Sequence, residues 1–130
     1  MSNIKSGIIV LGVSFAVALG ACTSKPLVNV TDTPVSVGKA LTASQVRTAI
    51  DAAGVALGWQ IKDLKPGLAQ GTLQLREHMA VIEIPYSTTS YSIIYKSSAN
   101  LGEKDGQIHK NYNSWVQNLD NGIKAQLSRM

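Results

Sequence analysis

The chain has little of what small exported domains and enzymes often rely on. Its 130 residues contain one cysteine, Cys22, one phenylalanine, Phe15, and four prolines. A lone thiol closes no internal disulfide, so any folded domain here must be held by its apolar core. There is no HExxH and no second cysteine to pair with the first, so the common zinc signatures are missing. A Gly-x-Ser-x-Gly elbow and a phosphate-cradling glycine-rich loop are missing too, which leaves the many serines without a recognisable nucleophile setting. No cofactor is expected. The net charge is +4, but the Lys and Arg residues are scattered and form no run. A nucleic-acid protein would carry a basic stripe or a recognition motif, so no nucleic-acid partner is expected.

What is present starts at the N-terminus. Met1 to Ser6 carries one charge, Lys5, followed by an apolar stretch from Gly7 to Leu19 and then Gly20, Ala21 and Cys22. A secretory signal needs a basic start, an apolar core of roughly 7–15 residues and small residues before the cut. Leu19-Gly20-Ala21-Cys22 further reads as a lipobox, with residues 1–21 as a lipoprotein signal peptide and Cys22 as the lipidation site. The rival is a membrane-spanning helix, which needs about 20 mostly apolar residues. Gly12, Ser14, Gly20, Cys22, Thr23 and Ser24 dilute that length, so the lipobox reading is preferred.

In this reading the Cys22 thiol accepts the diacylglycerol, and acyl chains such as palmitate hold the protein at about 0.8 kcal/mol per buried methylene. The expected partner is therefore a membrane, reached through a lipid anchor. Thr23 follows the cysteine. In lipoproteins of Gram-negative bacteria a residue other than Asp there usually implies the outer membrane, with the domain facing the periplasm.

The expected organisation is residues 1–21 as signal, 22–40 as lipidated cysteine and flexible tether, and 41–130 as one periplasmic α/β domain. Pro26, Pro34 and Gly38 give the tether no helical period, and Leu27–Val30 and Val35–Val37 offer at most a short edge strand. A helix is predicted over 43–57. Thr42 and Gln45 make a capping box before it, Gly58 stops it, and Val46, Ile50, Ala53 or Gly54, and Leu57 form the core face. Arg47 and Asp51 lie four apart on its outer side.

Trp59 to Lys96 then reads as a four-stranded antiparallel meander, with turns at Lys65-Pro66-Gly67, near Arg76 to His78, and at Thr88 to Ser90. His78, Ala80, Ile82, Ile84 and Tyr86 share one face of a strand, and Tyr91, Ile93 and Tyr95 share a face of the next. A second helix is predicted from the stripe Ile108, Tyr112, Trp115, Leu119, Ile123 and Leu127, with Gly122 marking a bend or a close contact with the sheet. Together these elements predict an α+β class, a two-layer α-β-β-β-β-α domain with the meander packed against two helices.

The aromatics Trp59, Tyr86, Tyr91, Tyr95, Tyr112 and Trp115 either pack the core or line a cleft between helix and sheet. His78 and His109 are the only histidines. With Glu77, Glu83 or Asp105 they could build a metal or acid–base site, though nothing in their spacing asks for a metal and none is expected. The candidate binding residues are Trp59, His78, Tyr91, Tyr95, His109, Tyr112 and Trp115, and no catalytic residue is singled out.

Ala49-Ile50 through Gly58-Trp59, Pro66-Gly67, Arg76-Glu77-His78, Tyr91-Ser92-Ile93-Ile94-Tyr95 with Ser98 and Asn100-Leu101, and Ile108 to Trp115 with Asn118-Leu119 form a spacing that spans roughly residues 42–123. It resembles a group of small proteobacterial lipoproteins of unassigned function. The resemblance implies a compact α/β lipoprotein of the outer envelope and carries over no catalytic residues. The expected function is a non-enzymatic binding module for a protein or a small ligand. The alternatives are a structural or envelope-homeostasis lipoprotein that docks to other envelope proteins, and a small hydrolytic or metal-dependent enzyme.

Overall fold

Thr42 starts the first helix in the way its side chain dictates. Its backbone is extended, its hydroxyl accepts the Gln45 N–H at 3.1 Å, and the Gln45 side chain accepts the Thr42 N–H at 2.9 Å. Both halves of the capping box are closed, which satisfies two donors the first turn would otherwise leave open. A computed structural model describes residues 23–35 and 38–130. Cys22 and the expected signal peptide lie outside the described residues.

Along the chain, β1 (Ser24–Pro26) and β2 (Val30–Pro34) precede α1 (Ala43–Ala56). The strands β3 (Gln60–Lys65), β4 (Leu68–Leu75), β5 (His78–Pro85) and β6 (Ser90–Ala99) follow, then β7 (Gln107–His109) and α2 (Lys110–Leu127). Among the described residues the class is α+β, with two helices and a five-stranded antiparallel sheet in the order β2-β6-β5-β4-β3. A separate two-stranded sheet pairs β1 with β7. Among the described residues no helix is long and apolar enough to cross a membrane.

The predicted meander is present strand for strand. Gly67, with φ +82°, makes the β3–β4 turn, a conformation that costs a residue with a Cβ. Alternate residues Ala69 and Leu73, Ala80, Ile82 and Ile84, and Tyr91 and Ile93 are buried, so one face of the sheet carries the core. Both helices add to that core, with Val46, Ala49, Ile50 and Ala53 from α1 and Tyr112, Val116, Leu119 and Ile123 from α2, and Leu41, Trp59, Leu101 and Ile108 join it from the connecting segments and β7. At Gly122 a Cβ would stand 3.2 Å from the Ala53 Cβ, so the expected close contact is made with α1 rather than with the sheet.

The segment expected to be a flexible tether is bonded into the domain. β1 aligns Ser24 with His109, Lys25 with Ile108 and Pro26 with Gln107. β2 runs along β6 as an edge strand, with a register shift between Val30 and Thr33 where Asp32 adopts a φ of 49°. The segment's residues make hydrogen bonds with distant parts of the chain. Asn29 Oδ1 accepts the Tyr95 N–H at 2.9 Å, Asn113 Nδ2 donates to the Pro26 carbonyl at 2.9 Å, and Asn113 Oδ1 accepts the Val28 N–H at 3.2 Å. Pro26 and Pro34 close their strands, where a missing N–H breaks no ladder.

Two helix boundaries shift. Leu57, expected on the core face of the first helix, is 40% exposed, and Ala49 is buried in that face. Ile108, expected as the first position of the second helical stripe, lies in β7, and the helix starts after it because His109 Nδ1 accepts the Asn111 N–H as an N-cap. The expected Arg47–Asp51 ion pair forms, and Arg47 Nε also bonds Asp63 at 2.8 Å, tying α1 to the edge strand β3.

Candidate functional site

The seven candidate residues divide into four groups. Trp59 leaves the end of α1, donates its backbone N–H to the Gly54 carbonyl at 2.9 Å, and is buried in the core. Tyr91 sits on the core face of β6 and donates its hydroxyl to Asp120 Oδ1 of α2 at 2.6 Å. Tyr95, two residues on, presents its ring edge to Tyr112 with centroids 5.6 Å apart, and its hydroxyl bonds Ser98 Oγ at 2.8 Å. Tyr112 is fully buried, and its hydroxyl has no hydrogen-bond partner among the described residues. His78, His109 and Trp115 make the fourth group. The imidazoles stack at 6.2 Å, and the indole lies 6.4 Å from His78, tilted by 53°.

Hydrogen-bond partners assign a proton to each imidazole. His78 Nδ1 lies 2.7 Å from the Asn100 carbonyl, which only accepts, so Nδ1 carries a proton. His109 is the reverse, since its Nδ1 accepts the Asn111 N–H at 3.2 Å and its proton must sit on Nε2. A cation held by both Nε2 atoms would require the cap of α2 to open. Neither ring has a hydrogen bond to Glu77, Glu83 or Asp105, and Glu83 pairs with Lys96 at 3.4 Å. Among the described residues no three His, Cys, Asp or Glu side chains are grouped to hold a metal. The cluster is a ring stack whose inner nitrogens serve the backbone. Among the described residues no carboxylate is hydrogen-bonded to either imidazole to orient it for proton transfer.

Sequence reading missed Asp120, which is 4% exposed in the apolar face of α2. Its position carried the signal, four residues after Val116 and three before Ile123 on the buried stripe. Tyr91 satisfies one carboxylate oxygen, and Lys124 Nζ reaches the other at 3.0 Å. Also missed was a cleft of about 540 Å³ between the end of β2 and the C-terminal end of α2. Val35, Leu41, Leu127 and Met130 give it an apolar lining, and Lys39 and Lys124 border it. None of the seven candidate residues lines it.

Burial first, and then the hydrogen bond and charge of Asp120, push the Tyr91 hydroxyl well above the ordinary tyrosine range, against a smaller opposing hydrogen bond from Thr33. Burial first, and then Tyr95, does the same to Tyr112. Both groups are therefore neutral in the folded chain when unfolded tyrosines ionise. Their contribution to stability is complete below a pH of about 10 and falls progressively above it, because only the unfolded state then releases these protons. Urea unfolding measured at rising alkaline pH should show that loss, and a Tyr91→Phe/Tyr112→Phe chain should show a shallower one. Equal slopes for the two chains would contradict the assignment.

Comparison of the chain with protein-family models, with curated proteins and with solved structures found no match.

Proposed function

We infer that this protein is a non-enzymatic lipoprotein of the bacterial envelope, anchored in the outer membrane through lipid on Cys22, whose periplasmic domain works as a binding module. The address is supported by the Leu19-Gly20-Ala21-Cys22 pattern behind an apolar run and by the resemblance to small proteobacterial lipoproteins. The observation that carries the binding reading is the cleft. Its volume of about 540 Å³ lies within the range of small-molecule sites, its lining is apolar, and two lysines stand at its border. The apolar lining suits a small apolar molecule or apolar side chain, since Lys124 is paired with Asp120 and Lys39 donates to the Met130 carbonyl. The enzymatic alternative loses ground because each imidazole directs Nδ1 at the backbone and none is bonded to an acid.

The two halves of this reading are tested separately. Cys22→Ser should remove the acyl mass and shift the protein from the membrane fraction to the soluble periplasmic fraction, and unchanged mass and attachment would refute the anchor. The anionic apolar probe anilinonaphthalene sulfonate should bind the folded chain saturably, one to one. Ser128→Trp, a change at an exposed residue lining the cleft, should abolish that binding while leaving the circular dichroism spectrum intact. Undiminished binding to the folded variant excludes the cleft.

Docking to another envelope protein is favoured by a different observation, the exposure of Val55 and Leu57 at the end of α1, at 73% and 40%. Single exposed apolar residues are common on soluble domains, so this carries less weight than the cleft.

A further inference from the structure

The geometry points to a membrane-contacting face: the end of the domain formed by β1, β7 and the first turn of α2 rests directly on the lipid surface, which holds the domain in one orientation. This rests on the lipid anchor at Cys22 and goes beyond it, because an anchor alone says nothing about which face meets the bilayer.

From Thr23 onward the chain has no slack. Thr23, the residue after Cys22, accepts the Lys110 N–H through its carbonyl at 2.8 Å. Residues 24–26 are paired in register with β7, and the Leu27 N–H donates to the Gly106 carbonyl at 2.8 Å. Asn113 then clamps the Pro26 carbonyl and the Val28 N–H from the second turn of α2. Every residue from 23 to 28 is hydrogen-bonded to, or aligned in register with, the β7–α2 end of the domain. Consecutive Cα atoms stand about 3.8 Å apart, so the acylated residue lies within one peptide unit of that end. Lipoprotein domains on long linkers can turn freely above the bilayer, but here the linker is a strand of the domain.

The side chains at this end suit a headgroup layer. Lys25 and Lys110 are exposed on β1 and α2, Lys104 lies on the loop that pairs with β7, and Trp115 is half-buried beside the two histidines. Indole rings and lysines are the residues that favour membrane–water interfaces. Glu103 and Asp105 share the loop, so these charges sum to only about +1 and electrostatic attraction to anionic lipid is weak. The anchor holds the surface down, and the fold decides which surface that is. In the proposed orientation the C-terminal end of α2, with the cleft, points away from the membrane, at the far end of an 18-residue helix about 27 Å long.

The test uses the full lipidated chain in vesicles of phosphatidylethanolamine and phosphatidylglycerol carrying a headgroup nitroxide. Fluorophores are placed on Asn111→Cys and, in a second variant, on Ala125→Cys. Both sites are exposed, and the lipidated Cys22 thiol is not free to react. The two positions are roughly 21 Å apart along α2, so quenching should be at least about threefold stronger at 111 than at 125. A flexible Gly-Ser insertion between Cys22 and Thr23 should erase the difference. Flotation with the vesicles together with equal quenching at both sites overturns the fixed orientation and leaves the anchor standing. Failure to acquire acyl mass and to float overturns both.

Discussion

Tyr91→Phe should destabilise the domain by about 1–3 kcal/mol, whereas Tyr112→Phe, which removes the same atom from another buried ring, should leave stability unchanged or raise it. The difference lies in what each hydroxyl leaves behind. The Tyr91 hydroxyl donates to Asp120 at 2.6 Å, and Asp120 is 4% exposed. Removing the donor strands a buried carboxylate oxygen with Lys124 as its remaining ionic partner, and unpaired buried charge is costly. The Tyr112 hydroxyl has no partner among the described residues, so Phe removes a buried polar atom and no hydrogen bond. Chemical unfolding of the two variants beside the parent decides the matter, through the transition midpoints at unchanged m-value. Equal losses would mean that the Tyr91–Asp120 bond is not made in solution.

Gly122→Leu should have a larger effect, about 3 kcal/mol or enough to prevent folding, since domains of this size have only about 5–15 kcal/mol in all. At Gly122, α2 packs closely against Ala53 of α1. A single Cβ there would meet the Ala53 Cβ at 3.2 Å and the Ala53 Cα at 3.8 Å. Ala53 is 2% exposed and cannot swing aside, because its side chain is one carbon. A Leu would force the helices apart and unseat Ile123 and Leu119 from the core they share with Ile50. Gly122→Ala separates this packing effect from helix propensity, which favours Ala by about 1 kcal/mol, and it should come out near neutral. Thermal unfolding of the Ala and Leu variants gives both values, and a stable Leu variant would show that the helices are not in contact at this point.

Local signals were legible wherever one short segment contained all the relevant physics. The first helix has its capping box and its Gly58 stop within its own sequence, and both appear in the structure at the expected residues. The meander is legible for the same reason: its alternation and turn residues are local, and hairpin pairing joins neighbours in sequence. What was not legible depended on partners far along the chain. Nothing within residues 24–34 reveals that β1 will pair with β7 or that β2 will border β6, because those contacts span some 60 to 85 residues and rest on Asn29, Asn113 and Ser92 side chains. Ile108 had the right period for a helix, and the strand pairing with Lys25 overrode it.

The arrangement of the candidate residues was not legible in the sequence. His78, His109 and Trp115 do meet, yet Trp59 and Tyr91 are spent on the core, and the cleft is built from residues that sequence reading passed over. By itself the sequence determined the α+β class, the helix and hairpin positions and the lack of any recognisable catalytic motif, because each is written in spacing and residue type over a few turns. Tertiary structure alone decided that the presumed tether belongs to the fold, which tyrosine hydroxyl is satisfied, and where a cavity opens. Those outcomes follow from how long-range pairing and packing distribute hydrogen bonds and volume, and no local pattern carries that information.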